Sequence, residues 1–155
     1  MYDRQNNVSD LVDVATGGAA ANASSSWPSI SDDGRYVAFQ SGATNLAGTD
    51  LDVYRDVFVR DRQLGVTTRL SNRNFESEMP AISGDGQRVV FHTRANNILA
   101  SDTNGLQDVV LWHMSSGVYQ LVSHNSAGGV SNGISWISTS SSRCSTTSCA
   151  GWPAG

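Results

Sequence analysis

One feature limits what this chain can fold into more than any other: residues 27–71 are written a second time at residues 79–123. Pro28, Ile30, Ser31, Asp33, Gly34, Val37, Phe39, Asp50, Asp56, Val57, Gly65, Val66 and Ser71 recur at Pro80, Ile82, Ser83, Asp85, Gly86, Val89, Phe91, Asp102, Asp108, Val109, Gly117, Val118 and Ser123. Each return is 52 positions later, with no insertion or deletion. Ala43 and Asn45 also return, at Ala95 and Asn97, which makes 15 identities in 45 positions. A period of about 50 residues marks an array of one supersecondary unit, which buries its apolar face only against its neighbours.

Within a unit the pattern is β throughout. Pro28–Ser31 and Ala81–Ser83 read as short strands, and the Asp-Gly pairs that follow supply residues tolerant of positive φ for a tight hairpin. Arg35–Ser41 and Gln87–Thr93 read as second strands, Asp56–Asp61 and Asp108–His113 as third strands, and Val66–Ser71 and Val118–Ser123 as fourth strands. No stretch sustains a 3.6-residue apolar period over three turns, so no helix is expected. Four strands joined by hairpins make one small twisted antiparallel sheet, which is a propeller blade.

Pro28-Ser29-Ile30-Ser31-Asp32-Asp33-Gly34-Arg35-Tyr36-Val37-Ala38-Phe39, followed by Asp56-Val57-Phe58-Val59-Arg60-Asp61-Arg62, resembles the signature of the TolB-like, WD-repeat-like β-propeller family. The likeness covers roughly residues 1 to 125. It implies an all-β fold built of propeller blades. It also implies a periplasmic, secreted or surface binding module, a kind sometimes attached to peptidases.

The blade count poses a physical problem. The repeats supply two whole blades at 27–71 and 79–123. Residues 1–14 read as the end of a preceding blade, and residues 15–26 as a Gly/Ala/Ser/Asn linker expected to be mobile. Residues 124–155 read as a partial strand at Ile134–Ser138 and a Ser/Thr/Cys-rich tail, expected to be non-native or disordered. Closed propellers have about four to eight blades. The expectation is therefore an incomplete propeller, or one completed by self-association of several copies through its open faces and edges.

Charge and hydropathy narrow the partners. A net charge of −4 argues against nucleic acid, because no basic face could neutralise a phosphate backbone. No apolar run of about 18 residues exists, so no membrane-spanning helix is expected. The chain opens on Met1-Tyr2-Asp3-Arg4, which is not the basic-then-apolar start of a signal peptide, so the periplasmic or extracellular location belongs to a parent protein.

The best candidates for chemistry lie between the second and third strands. Asp50, Asp52 and Asp56 in the first copy, and Asp102, Asn104 and Asp108 in the second, place oxygen donors at positions 1, 3 and 7 of a loop. Hard cations such as Ca²⁺ take about six to eight oxygens, so these residues are either cation ligands or caps for the loop backbone. Neither loop has the Glu at position 12 that closes an EF-hand. No other cofactor is implied.

Asp33 and Asp85 read as turn residues, and Ser31 and Ser83 as internal hydrogen-bonding residues. His92, His113 and His124 fall on different segments and form no spaced ligand set. There is no Gly-x-Ser-x-Gly elbow, so a nucleophilic triad has no local support. Cys144 and Cys149 match no common zinc spacing and are either free thiols or a small-loop disulfide. Phe39, Phe58 and Phe91 are expected in the core between blades, and Trp27 and Trp112 in core or rim; an exposed rim Trp would allow stacking on sugars.

The function expected on this reading is a non-enzymatic binding or scaffolding module. Its connections at 42–55 and 94–107 would present a surface to a protein, peptide or glycan. The competing class is an accessory or catalytic propeller domain of a secreted hydrolase or lyase, which needs a convergent acid–base set.

Overall fold

The computed structural model describes residues 2–3, 7–48, 54–71, 75–96, 98 and 105–123. The described residues contain no helix. They form a short hairpin, β1 (Tyr2–Asp3) with β2 (Val8–Ser9), and two four-stranded antiparallel sheets. Blade 1 is ordered β3 (Ser25–Ile30), β4 (Tyr36–Ser41), β5 (Asp56–Asp61), β6 (Val66–Arg69). Blade 2 repeats it as β7 (Ser77–Ile82), β8 (Arg88–Thr93), β9 (Asp108–His113), β10 (Tyr119–Leu121). The architecture is all-β and built of propeller blades, and two blades do not close a ring.

Each blade has two faces set by strand alternation. The front carries Val37, Phe39, Phe58 and Arg60 in blade 1, and Val89, Phe91, Val110 and Trp112 in blade 2. The back carries Ala38, Val57, Val59 and Leu70 in blade 1, and Val90, Val109, Leu111 and Val122 in blade 2. The cross-strand partners Phe39↔Phe58 and Val89↔Trp112 on the fronts, and Ala38↔Val59 and Val90↔Leu111 on the backs, fix these assignments. The back of blade 1 lies on the front of blade 2. Ala38, Val57, Val59 and Leu70 are buried there in one cluster with Val89, Phe91, Val110 and Trp112.

Hydrogen bonds hold the same stacking at its outer edge. Asp32 N donates to Gly84 O at 2.8 Å, Met79 N to Gln40 Oε1 at 2.8 Å, and Ile82 N to Ser29 Oγ at 3.1 Å. The Tyr36 ring lies so close to Gly86 that a Cβ there would meet Cδ2 at 2.6 Å, so this position admits glycine alone.

Three differences from the sequence expectation have physical causes. The first strand of each blade begins three residues before its proline, at Ser25 and Ser77. A bulge between Ser26 and Ser29, and its copy between Glu78 and Ala81, carries the strand past the missing proline N–H, with φ of 53° at both Trp27 and Met79.

The second difference is the segment 15–26, which is tied down. Gly17 and Gly18, at φ 111° and 93°, turn the chain, and Val14 bridges to Ala20. Asn22 exchanges bonds with Thr44 and Asn45. Third, Phe39 and Phe58 are buried away from the seam between blades 1 and 2. They stack at 5.7 Å on the opposite face, with Ala43 and Leu46, under Val12 and Ala21.

Candidate functional site

The Ser-x-Asp-Gly signature builds the hairpin at the tip of each blade. Ser31 Oγ donates to Asp33 Oδ1 at 2.6 Å and accepts from Tyr36 N, while Asp33 Oδ1 accepts from Arg35 N. Ser83, Asp85, Gln87 and Arg88 repeat every bond. The serine hydroxyl, first, and then the backbone N–H hold both carboxyls below the usual carboxylate range. Asp33 and Asp85 are turn residues, as the Asp-Gly pattern suggested.

The loop candidates divide. Asp50, Asp52, Asp102 and Asn104 lie outside the described residues. Asp56 and Asp108 are buried at the starts of β5 and β9, and each ties its strand to the end of the blade. Ser71 Oγ donates to Asp56 Oδ1 at 2.5 Å and accepts from Val57 N at 2.8 Å; Arg69 reaches Asp56 Oδ2 at 3.2 Å. In blade 2, Ser123 Oγ donates to Asp108 at 2.7 Å and accepts from Val109 N at 3.0 Å. Among the described residues no three His, Cys, Asp or Glu side chains come together as metal ligands.

Asp61 is bound by Arg35 through two nitrogens, at 2.7 and 3.2 Å, and also accepts from Gln63 N and Leu64 N. The guanidinium, first, and these N–H groups hold its carboxyl low. Blade 2 replaces both partners together, with Gln87 for Arg35 and His113 for Asp61.

His92 is buried at the position of Gln40, and burial pushes its imidazole below the usual value. His113 sits a strand away and half-buried. His124, Cys144, Cys149, Trp136 and Trp152 lie outside the described residues. Trp112 is core, whereas Trp27 stands at the bulge and is 49% exposed.

The front of blade 1 holds the feature that sequence reasoning missed. Arg60 Nη1 reaches Gly65 O at 2.9 Å, Thr67 Oγ1 at 3.1 Å, and the carbonyls of Val14 and Ala15 at 3.4 Å. Thr67 Oγ1 donates to Val14 O, and Thr67 N donates to Thr16 Oγ1. Arg62 pairs with Asp10. These bonds clamp residues 10–21 over half of the front. Beside the clamp lies an apolar groove of about 410 Å³, walled by Pro28 and Ile30 and by Leu11 and Val12, over the buried Val37 and Phe39. Asp10, Asp13, Ser25 and Ser26 complete it. The sequence signal for this surface was a set of front positions where the copies differ in polarity: Arg60, Arg62, Thr67 and Arg69 against Trp112, Met114, Tyr119 and Leu121.

No protein-family model matches the chain, and no curated protein matches it. Among solved structures it is similar to a protein described as TolB from Agrobacterium tumefaciens, at 18% identity and a TM-score of 0.48, over 67% of this chain and 32% of that one. It is also similar to TolB from Acinetobacter baumannii, at 16% identity and a TM-score of 0.45, over 69% of this chain and 22% of that one. The chain thus spans about a third and about a fifth of the lengths of those two proteins.

Proposed function

We propose that the chain is a non-enzymatic binding module, whose blades hold a rigid surface against a protein, peptide or glycan. One observation carries this reading. The buried carboxylates of the described residues tie strands together (Asp56 to Ser71, Asp61 to Arg35, Asp108 to Ser123), while the groove beside the blade 1 front is apolar. The groove's carboxylates, Asp10 and Asp13, have no histidine or cysteine among the described lining residues. Concave apolar surface with a few polar groups at its rim suits recognition. The motif resemblance to TolB-like propellers supports a parent protein that works in the periplasm or outside the cell.

The test is a screen of the full chain on peptide and glycan arrays, repeated with Ile30→Asp. The reading expects a saturable ligand, weakened at least tenfold by the substitution. Turnover of a chromogenic ester or glycoside that is lost on replacing Ser31 or His92, with no array ligand, would overturn it.

A further inference from the structure

The back of blade 2 is half covered. Blade 1 shows what a fully covered back looks like. Gln40, Val57 and Leu70 lie in one row across its sheet, and all are buried against blade 2. The same row in blade 2 is His92, Val109 and Val122. His92 is fully buried and Val109 is 7% exposed, much as their copies are, whereas Val122 is 46% exposed and Val118, on the same edge, 56%. The cover therefore spans the inner strands and stops before the outer edge. Among the described residues no strand packs on this back in the way that β7 packs on β3, β4 and β5. One strand placed like β7 is a cover of that width.

The repeat names that strand. Ile30-Ser31 returns as Ile82-Ser83, and one further period of 52 lands on Ile134-Ser135, outside the described residues. As many residues separate Ser123 from Ile134 as separate Ser71 from Ile82, so the connection is long enough. The pattern then breaks off. Ile137-Ser138 stand where the two copies have Asp33-Gly34 and Asp85-Gly86, so the hairpin to a second strand is lost.

We propose that residues 130–135 seat on the back of blade 2 as the lone first strand of a third blade, a strap over its inner half. A repeat unit buries its face only against a neighbour, and this strand is the part of a neighbour that the register supplies. The seam between blades 1 and 2 gives the contacts. Met79 N donates to Gln40 Oε1, and the copies of these two residues are Ser131 and His92. Burial holds the His92 imidazole below its usual value, and a neutral imidazole can accept a backbone N–H. Ile82 packs against the seam core, and Ile134 takes the same place against Val90 and Leu111, the copies of Ala38 and Val59. One bond of the seam has no copy: Ser29, whose hydroxyl accepts from Ile82 N, is replaced by Ala81. Without that bond and without a hairpin partner, the strap opens more readily than β7 does.

The proposal is independent of what the blade 1 groove binds, and its test uses no ligand. In the full chain carrying Cys144→Ser and Cys149→Ser, the rate of thiol labelling is measured for Val109→Cys beneath the strap, Val122→Cys on the open edge and Val89→Cys in the seam. Val122→Cys should label fast and Val109→Cys slowly. Adding Ile134→Asp should speed labelling at Val109→Cys by at least about tenfold and leave Val89→Cys protected, while Ile134→Val should keep Val109→Cys slow. Labelling at Val109→Cys that is fast from the start, unmoved by Ile134→Asp, or raised equally at Val89→Cys overturns the proposal and leaves the binding-module reading untouched.

Discussion

On the front of blade 2, Trp112, Tyr119 and Met114 stand where blade 1 has Arg60, Thr67 and Arg62. The backbone beneath is the same: both fronts are paired strands in matching register, and both carry the Val-x-Phe of the second strand. Blade 2 answers with an apolar seam, Trp112 and Phe91 against Val57, Val59 and Leu70, with the Tyr119 hydroxyl donating to Leu70 O. Blade 1 answers with a polar clamp, in which Arg60, Thr67 and Arg62 hold the carbonyls and side chains of residues 10–16. With Arg69 against Leu121, a few positions on one scaffold thus separate a front that takes a flat sheet from one that takes an irregular segment. An apolar surface needs a broad partner to exclude water, whereas an arginine can satisfy the unpaired carbonyls of a turn.

The sharpest way to break this comparison is to truncate each front. Trp112→Ala should cost about 3–5 kcal/mol in urea unfolding, since it empties a large volume between two packed sheets. Arg60→Leu should cost about 1–3 kcal/mol, the penalty for stranding carbonyl acceptors. If Arg60→Leu proves as costly as Trp112→Ala, the clamp and not the seam is the main support, and the comparison is reversed.

The next test concerns what the blades share. Ser71→Ala and Ser123→Ala each remove the hydroxyl that links a buried aspartate to a backbone N–H, and each should cost about 1–3 kcal/mol. Similar losses in the two blades would show one latch used twice. A neutral Ser123→Ala would confine it to blade 1.

Acid separates the blades more gently. His92 has a folded value below its ordinary 6.5, so the unfolded chain binds the proton first and stability falls as pH drops below about 6.5. Asp61, held low by Arg35, contributes stability that is present above its ordinary 3.8 and lost as pH falls through the lower folded value. His92→Gln, which copies Gln40, should remove the first loss and leave the second. A pH profile unchanged by that substitution would contradict the assignment. The smallest effect belongs to the Arg35–Asp61 pair. It is partly solvated, so Arg35→Gln, the residue of the other copy, should lower stability least of these substitutions, and less still in high salt.

Much of the fold was legible because its signals are local and repeated. The Ser-x-Asp-Gly turns place their own hydrogen bonds within five residues, so Ser31–Tyr36 and Ser83–Arg88 could be read directly. The bulges were not legible: positive φ at Trp27 and Met79 has no glycine to announce it, although Ser25 and Ser77 share the period and pair with Ser41 and Thr93. The clamp was hidden because Arg60 and Val14 are far apart in sequence. A Gly/Ala-rich segment looks like a linker until a distant arginine and threonine collect its carbonyls. Phe39 and Phe58 were expected between blades, but that Val12 and Ala21 cover them was not legible, because alternation tells which residues share a face and not what covers that face. Of the six loop oxygen residues, Asp56 and Asp108 bond Ser71 and Ser123, and the other four lie outside the described residues.

The stacking of blade 1's back on blade 2's front is tested most directly by a crosslink at Asp32 and Gly84. A Cβ at Gly84 would lie 2.9 Å from Asp32 Cγ, and Asp32 N bonds Gly84 O at 2.8 Å. With Cys144 and Cys149 changed to serine, the double variant Asp32→Cys, Gly84→Cys should oxidise within one chain. Mass spectrometry of the non-reduced protein should show the loss of two hydrogens, with unfolding shifted to higher urea. Thiols that stay free under oxidising conditions in the folded protein, or that link only between chains, would contradict it.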